Sequence, residues 1–337
     1  MIPLLISSLI IAALLTGLIR QYAIRKSLID IPNERSSHEV PVPRGGGLSI
    51  VLICLISILI IGFSEQLDRN QVVALFGGGS LVAAIGWLDD HRDVSALFRA
   101  FVHLIASIWT VFWLGGLGPI ELGFTTMDLG WFGSMLAVIG MIWLINLYNF
   151  MDGTDGLAAV QAITAGSFSV FLFLSAGVTG PALITLIMIA ATTGFLLWNW
   201  SPAKIFMGDV GSSFLGYFFG ALAILGEQYG SVPVLIWSIL LALFFWDATL
   251  TLINRFRSGE KWYAAHRSHA YQRFVQMGHS HQKLALWFLV INVTILWPIA
   301  WFAMNYKSSL WVLALVIATL SAGLWLTIRR KYDKYHL

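Results

Sequence analysis

Charge is what this chain has least of. Only 11% of its 337 residues are Asp, Glu, Lys or Arg, against 58% hydrophobic, whereas a soluble domain carries roughly a quarter charged. So few ionic groups cannot cover so much apolar area with a water-facing surface, which excludes an ordinary soluble domain. Cysteine is almost absent too. The single Cys54 lies inside an apolar run, excludes any intrachain disulfide and reads as a small packing residue. No Gly-Lys-Ser/Thr follows the run Gly45-Gly46-Gly47, so it is no Walker A loop. Nothing resembles a basic DNA-reading module, and the formal charge of +3 comes from loops beside apolar runs, so no nucleic-acid partner is expected. Neither half of the chain resembles the other, and the inverted repeat of secondary transporters is missing.

What the chain has in abundance is apolar runs of about twenty residues, each long enough to cross roughly 30 Å of hydrocarbon. They predict an all-α integral membrane protein, one polytopic domain of about eleven transmembrane helices. The spans fall roughly at 2–22, 46–63, 71–88, 100–117, 131–148, 158–176, 180–199, 212–226, 233–254, 284–303 and 310–328. The first, from Ile2 to Ile19, has no preceding positive residue and no small-x-small cleavage pattern, so it reads as a span and not a cleaved signal peptide. Of the 20 Lys and Arg residues, all but Arg69 and Lys307 follow odd-numbered spans. The positive-inside rule then puts that side in the cytoplasm, the amino terminus outside and the carboxyl terminus inside. Cytoplasmic loops are expected near 23–45, 89–99, 149–157, 200–211 and 255–283.

Those loops hold every polar cluster of chemical interest. They are Asp30-Ile-Pro-Asn33-Glu-Arg35-Ser-Ser-His38 through Arg44-Gly45-Gly46-Gly47, Asp89-Asp90-His91-Arg92-Asp93, and Asn146-x-x-Asn149-x-x-Asp152-Gly153-Thr-Asp155-Gly156. Asn199 through Lys204, Phe206, Gly208, Asp209, Gly211 and Ser212 form the fourth, and His266-Arg267-Ser-His269-Ala-Tyr271-Gln272-Arg273 the fifth. Carboxylates gathered at one membrane face repel one another unless cations neutralise them. Mg²⁺ suits such a place, taking one or two protein carboxylates and completing its octahedron with water and substrate phosphates, with Mn²⁺ as the alternate ion. Gly153, Gly156, Gly208 and Gly211 are expected to adopt φ > 0 and to bring backbone N–H groups close to an anion. Gly77-Gly78-Gly79, inside the third span, reads as close helix packing. Asp247 sits inside an apolar run and is expected to face the protein interior near the site. A zinc site from His266, His269, His279 and His281 is disfavoured by the ordinary loop composition around them.

At these residues the sequence resembles the polyprenyl-phosphate N-acetylhexosamine-1-phosphate transferases, a glycosyltransferase family 4 type. The resemblance runs from about Asp30 to Arg273 and rests on Asp89-Asp90, Asn149-x-x-Asp152-Gly-x-Asp155-Gly and Phe206-Met-Gly-Asp209-x-Gly-Ser. The opening Pro-Asn-Glu-Arg-Ser-Ser-His and Pro-Arg-Gly-Gly-Gly is closer to O-antigen-initiating members than to the peptidoglycan translocase. The resemblance implies a helical bundle with a cytoplasmic catalytic cleft, in which Asp209 is a Mg²⁺ ligand and Asp89 and Asp90 engage metal or lipid phosphate. Phe206 and Asn199 would help hold uridine, and Asn149, Asp152 and Asp155 would belong to the nucleotide-sugar pocket. Many members carry a His-x-His-His motif where this chain has His269-Ala-Tyr271-Gln272, so His269, Arg267 and Arg273 are left to serve there, with Arg44 as a further basic group for phosphate. The implied substrates are a UDP-N-acetylhexosamine or deoxy relative and undecaprenyl phosphate, in a bacterial cytoplasmic membrane, with a homodimer compatible. The rival readings are an intramembrane Mg-dependent prenyltransferase, suggested by Asp89-Asp90-x-x-Asp93, and a transporter. The first leaves Phe-Met-Gly-Asp unexplained, and the second would place its ionisable groups near the bilayer midplane.

The charge asymmetry makes a direct prediction: a reporter fused after His336 behaves as cytoplasmic and one inserted near Gln66 as external. An external carboxyl terminus would overturn the assignment of the polar loops to the cytoplasm.

Overall fold

A computed structural model describes residues 2–32, 40–260 and 266–335. Asn33, Glu34, Arg35, Ser36, Ser37 and His38 of the opening motif lie outside the described residues. The chain is helical almost throughout: α1 (Ile2–Arg25), α2 (Leu48–Phe63), α3 (Arg69–His91), α4 (Ala96–Leu114), α5 (Gly130–Phe150), α6 (Leu157–Ser175), α7 (Thr179–Asn199) and α8 (Asp209–Gln228). There follow α9 (Val234–Leu240), α10 (Ala242–Arg257), α11 (Ala270–Gln276), α12 (His281–Ile291), a π turn (Asn292–Leu296), α13 (Trp297–Asn305) and α14 (Leu310–Tyr335). Among the described residues, nine helices are long and apolar enough to cross a membrane, and the bent pair α9 and α10 makes a tenth. The eleventh apolar run, α2, is helical over only 16 residues.

The helices are joined so that the polar clusters meet at one end. α3, α5 and α7 finish there with Asp89-Asp90, Asn149 and Asn199, while α4, α6 and α8 start there with Arg99, Gly156 and Asp209. α8 is the axis of the bundle. It packs against α3 and α5 and is buried along nearly its whole length. So central a helix needs small residues where neighbours cross it, because apolar lipid gives no hydrophobic drive and helices in a membrane gain by close packing. A Cβ on Gly211 would lie 2.6 Å from Gly47 Cα, and one on Gly86 2.6 Å from Asp209 O. Gly78 leaves room for Thr110 and for the Tyr217 hydroxyl, which donates to Ala74 O at 2.9 Å. The Gly77-Gly78-Gly79 run therefore does serve close packing.

At the opposite end, Asp68 caps α3 by accepting from Gln71 N at 2.9 Å. Glu227, at the far end of α8, accepts from Glu121 N at 2.6 Å and Val234 N at 2.5 Å. Each satisfies backbone donors that a helix start or loop leaves open.

The span expected as one helix over 233–254 is instead broken at Leu241 by 85°. Breaking a helix inside a membrane frees carbonyls that lipid cannot satisfy. Gln161 Nε2 donates to Leu240 O at 2.9 Å, and Asn292 Nδ2 donates to Gln161 Oε1 at 3.0 Å from the start of the π turn. Two buried amides thus compensate the break, which an apolar run cannot announce.

Because Gly211 and Gly47 touch backbone to backbone, Gly211→Ala is expected to cost about 1–3 kcal/mol of overpacking. Gly140, a helical residue with nothing within 4 Å of its would-be Cβ, supplies the control: Gly140→Ala costs nothing and stabilises by up to about 1 kcal/mol through alanine's helix propensity. Thermal unfolding of the two detergent-solubilised variants against wild type measures the difference.

Candidate active site

The polar end is built around two adjacent aspartates with different tasks. Asp90 is 2% exposed, and its oxygens accept from Asp209 N at 3.0 Å and Val210 N at 3.2 Å. It caps the first turn of α8 from another helix, where open N–H groups and the positive end of the helix dipole favour a carboxylate. Gly208 admits it: φ there is +76°, and a Cβ would stand 2.6 Å from Asp90 Oδ2. Asp89 points the other way. Its Oδ1 accepts from Val94 N at 3.0 Å, holding the α3–α4 turn, and its Oδ2 lies 2.6 Å from Arg99 Nη1. The same nitrogen is 2.6 Å from Asp209 Oδ2. Asp89 and Asp209, 120 positions apart, therefore share one cation.

Arg99, which pairs with both carboxylates, is the residue of this junction that the sequence conceals, since it reads there as one of many topology charges. A signal was available. Ser95 caps α4, which places Arg99 on the first turn of a helix, where the dipole disfavours a cation. An arginine in that position is intelligible only opposite carboxylates.

Asp152 completes the group from the loop between α5 and α6. It accepts no hydrogen bond from the described residues. Burial first, then the negative charges of Asp209, Asp90 and Asp155, push its carboxyl well above the ordinary range. Asn149 Nδ2, one turn earlier, donates to Ser212 Oγ on α8 at 3.0 Å. Arg44 stands near enough to Asp90 to offset its charge, and its buried Nε has no acceptor among the described residues.

Two predicted site residues serve the scaffold. Asn199 is buried, with Oδ1 accepting from Gly156 N at 2.9 Å and Nδ2 donating to Ile205 O at 3.0 Å. Asp155 accepts from Ala203 N at 3.1 Å and faces His281 Nδ1 at 3.3 Å. Burial acts to raise the Asp155 carboxyl, but His281, Ser201 and the Ala203 N–H outweigh it, and the net shift is downward. Together they tie the α5–α6 loop to the 200–205 loop and to α12. Phe206 is half-buried; its backbone N donates to Pro43 O at 2.8 Å and its carbonyl accepts from Gly46 N at 2.9 Å.

The fifth cluster repeats the capping device. Asp247, buried as expected, accepts from Ala270 N at 2.8 Å and Tyr271 N at 2.9 Å at the start of α11. His269 Nδ1 lies 3.7 Å from Asp247, and its ring stacks on Phe150. Burial, then His269 and Arg255, push the neighbouring His266 imidazole down to about 3, so it is neutral at physiological pH. Arg273 turns away from the carboxylates toward Asp333 at 3.5 Å and the ring of Tyr332 on α14, while Arg267 is exposed. His266 and His269 lie side by side with ring centroids 4.8 Å apart, while His279 lies against Phe274 and His281 against Asp155.

The glycine expectation needs correction. Gly156 (φ +73°) and Gly208 (φ +76°) do take positive φ, but Gly153 and Gly211 do not. Gly211 is small because Gly47 crosses it, and Gly153 because the Tyr271 hydroxyl occupies the space a Cβ would take.

A divalent cation fits Asp89 and Asp209, whose Oδ2 atoms each lie 2.6 Å from Arg99 Nη1. Among the described residues no third His, Cys, Asp or Glu joins them in a metal-holding group. A pair of carboxylates with room for water and phosphate suits Mg²⁺ better than an ion needing a full protein cage.

An all-α bundle buried in lipid, with carboxylates and arginines converging at one end, defines an integral membrane protein whose polar chemistry is confined to a single rim. Residues 72–227 match the family described as glycosyl transferase family 4. The chain is 32% identical over 286 residues to a protein of Bacillus subtilis (strain 168) named "Probable undecaprenyl-phosphate N-acetylglucosaminyl 1-phosphate transferase", covering 83% of this chain and 79% of the relative. It is 31% identical over 317 residues to the decaprenyl-phosphate N-acetylglucosaminephosphotransferase of Mycolicibacterium smegmatis (83% and 77%). An undecaprenyl-phosphate alpha-N-acetylglucosaminyl 1-phosphate transferase of Escherichia coli (strain K12) is 28% identical over 295 residues (83% and 77%). The chain belongs to this family, the polyprenyl-phosphate N-acetylhexosamine-1-phosphate transferases.

Removing the cation that Asp89 and Asp209 share tests the metal fit without a turnover assay. Arg99→Gln is expected to lose roughly 1 kcal/mol of stability in chelator, and millimolar Mg²⁺ to recover more in the variant than wild type gains. Unfolding temperatures insensitive to Mg²⁺ in both proteins would remove Asp89 and Asp209 from the metal site.

Proposed function

We propose that this protein transfers an N-acetylhexosamine 1-phosphate, or a deoxy relative, from its UDP-sugar to undecaprenyl phosphate, releasing UMP. The setting is the cytoplasmic face of a bacterial inner membrane, and the product starts a surface polysaccharide such as O-antigen. The observation that carries this reading is the meeting of Asp89 and Asp209 on one cation, with Asp152 nearby, at the end of an apolar bundle where the polar loops converge. A lipid phosphate and a water-soluble nucleotide meet only at such a rim. The names of the relatives supply the acceptor and the N-acetylhexosamine phosphate. The Pro-Arg-Gly-Gly-Gly opening supports the O-antigen assignment.

In this reading Asp89 and Asp209 would hold Mg²⁺, which supplies charge neutralisation to the diphosphate when bound. Arg44, whose buried Nε has no acceptor among the described residues, and Arg99 would face the phosphates. Asp152 and Asn149 border the sugar-nucleotide side. Asp90 and Asp247 act through the backbone they cap, and His269 through its place between Asp247 and Phe150.

A lipid phosphate with a second pKa of roughly 6 is already largely dianionic at neutral pH. Its oxygen needs no general base: it attacks the phosphorus bearing the sugar, and the bond to UMP breaks with the electron pair leaving on UMP. Positioning and charge neutralisation carry such a transfer.

Purified protein is to be incubated with a panel of UDP-sugars, with and without undecaprenyl phosphate, and its lipid product identified by mass. The expected result is a sugar diphospholipid from one donor class, and no UMP when the lipid is omitted. No lipid product from any donor would refute the function. A stoichiometric UMP burst without lipid, matched by an adduct on Asp89 or Asp209, would replace direct attack by a covalent route.

A further inference from the structure

The loop that carries Asp152 is short and hangs from the end of α5, where the last carbonyls of a helix have no partner within it. One side chain spans it. Tyr271 Oη donates to Phe150 O at 2.9 Å, and the same hydroxyl lies against Gly153, where a Cβ would collide with it. Gly153 has no side chain where this hydroxyl sits. A single phenol thus bonds the backbone before Asp152 and packs on the backbone after it, and Asp152 is the site carboxylate that accepts no hydrogen bond from the described residues.

The phenol is itself anchored. Tyr271 is 2% exposed, and its backbone N–H, with that of Ala270, is held by Asp247. Asp247 is fixed in turn by Thr251 Oγ1 at 3.2 Å, and Thr251 by Trp325 Nε1 at 2.9 Å. Burial pushes the phenol well above its usual value, so it remains a donor throughout the working pH range.

We propose that Tyr271 is a positioning residue, which sets the aim of Asp152 into the site by clamping Phe150 and Gly153, with Asp247 as the anchor of the clamp. The proposal rests on the assignment of the 149–156 loop to the sugar-nucleotide side of the reaction. Tyr271 touches no reacting atom. Its loss loosens the loop and weakens donor binding, while the carboxylates on α3 and α8 stay in place.

The test uses the full-length protein in detergent and has one readout that does not depend on turnover. In Tyr271→Phe, the amides of residues 149–157 are expected to exchange with deuterium about threefold to tenfold faster, the equivalent of one net hydrogen bond. The peptides of α8 should keep their protection, which shows that the fold is intact. With undecaprenyl phosphate and the UDP-sugar that wild type turns over, KM for the nucleotide sugar should rise by about the same factor and kcat stay within about twofold. The second variant is Gly153→Ala, whose new methyl collides with the hydroxyl. It is expected to lose more than about tenfold in activity, and the Y271F change should restore part of it by removing the colliding oxygen. Unchanged exchange across 149–157 in Y271F overturns the proposal, as does a G153A defect that Y271F leaves as deep or deepens. Faster exchange in a protein whose wild type forms no lipid product would leave the clamp standing and refute the proposed reaction instead.

Discussion

The capping of α8 by Asp90 is the contact on which the rest of the site depends. A buried carboxylate is costly unless donors surround it, and here two N–H groups at the positive end of a 20-residue helix provide them. The contact locks the end of α3 to the start of α8, so Asp89 and Asp209, the residues next to the joint, have little freedom to move apart. Their approach is unfavourable in itself. It is sustained because the neighbouring pair Asp90 and Val210 holds the backbones together and Arg99 supplies the opposite charge.

The same device recurs wherever the polar end needs a fixed backbone. Asp247 holds the start of α11, Asp155 the 200–205 loop and Asn199 the Gly156 turn, each by accepting backbone N–H groups. Loops at a membrane surface have no sheet or core to order them, and polar side chains reaching from helix ends take over that task. The acidic clusters therefore divide into carboxylates spent on the fold, Asp90, Asp155 and Asp247, and carboxylates left with capacity for a ligand, Asp89, Asp209 and Asp152.

That division was not legible in the sequence. Asp89 and Asp90 are neighbours of one type, and only the orientation of successive side chains on a helix, against a partner more than a hundred residues away, separates them. The spans were legible because bilayer thickness fixes a length that composition must meet. The convergence of the clusters followed from alternation of span direction. The broken tenth span was not legible, since Gln161 and Asn292 compensate it from elsewhere in the chain. Arg99 escaped because its meaning lies in a conflict with its own helix dipole. Gly153 and Gly211 were assigned to the wrong cause, as a glycine required by a crossing neighbour looks the same in sequence as one required by φ.

The charge balance at the rim bears on what the site takes. Asp89, Asp90, Asp152 and Asp209 crowd one junction, while the nearby cations are Arg99 and Arg44. With all four carboxylates ionised, the cluster has two more negative charges than positive. Burial, and after it the charges of Asp209, Asp90 and Asp155, raise the Asp152 carboxyl. A divalent cation held by Asp89 and Asp209 would offset that excess. An incoming diphosphate would then encounter Arg44 and a neutralised carboxylate pair instead of a negative wall. In the proposed reaction this imbalance favours a donor that arrives with a divalent cation over a bare anion.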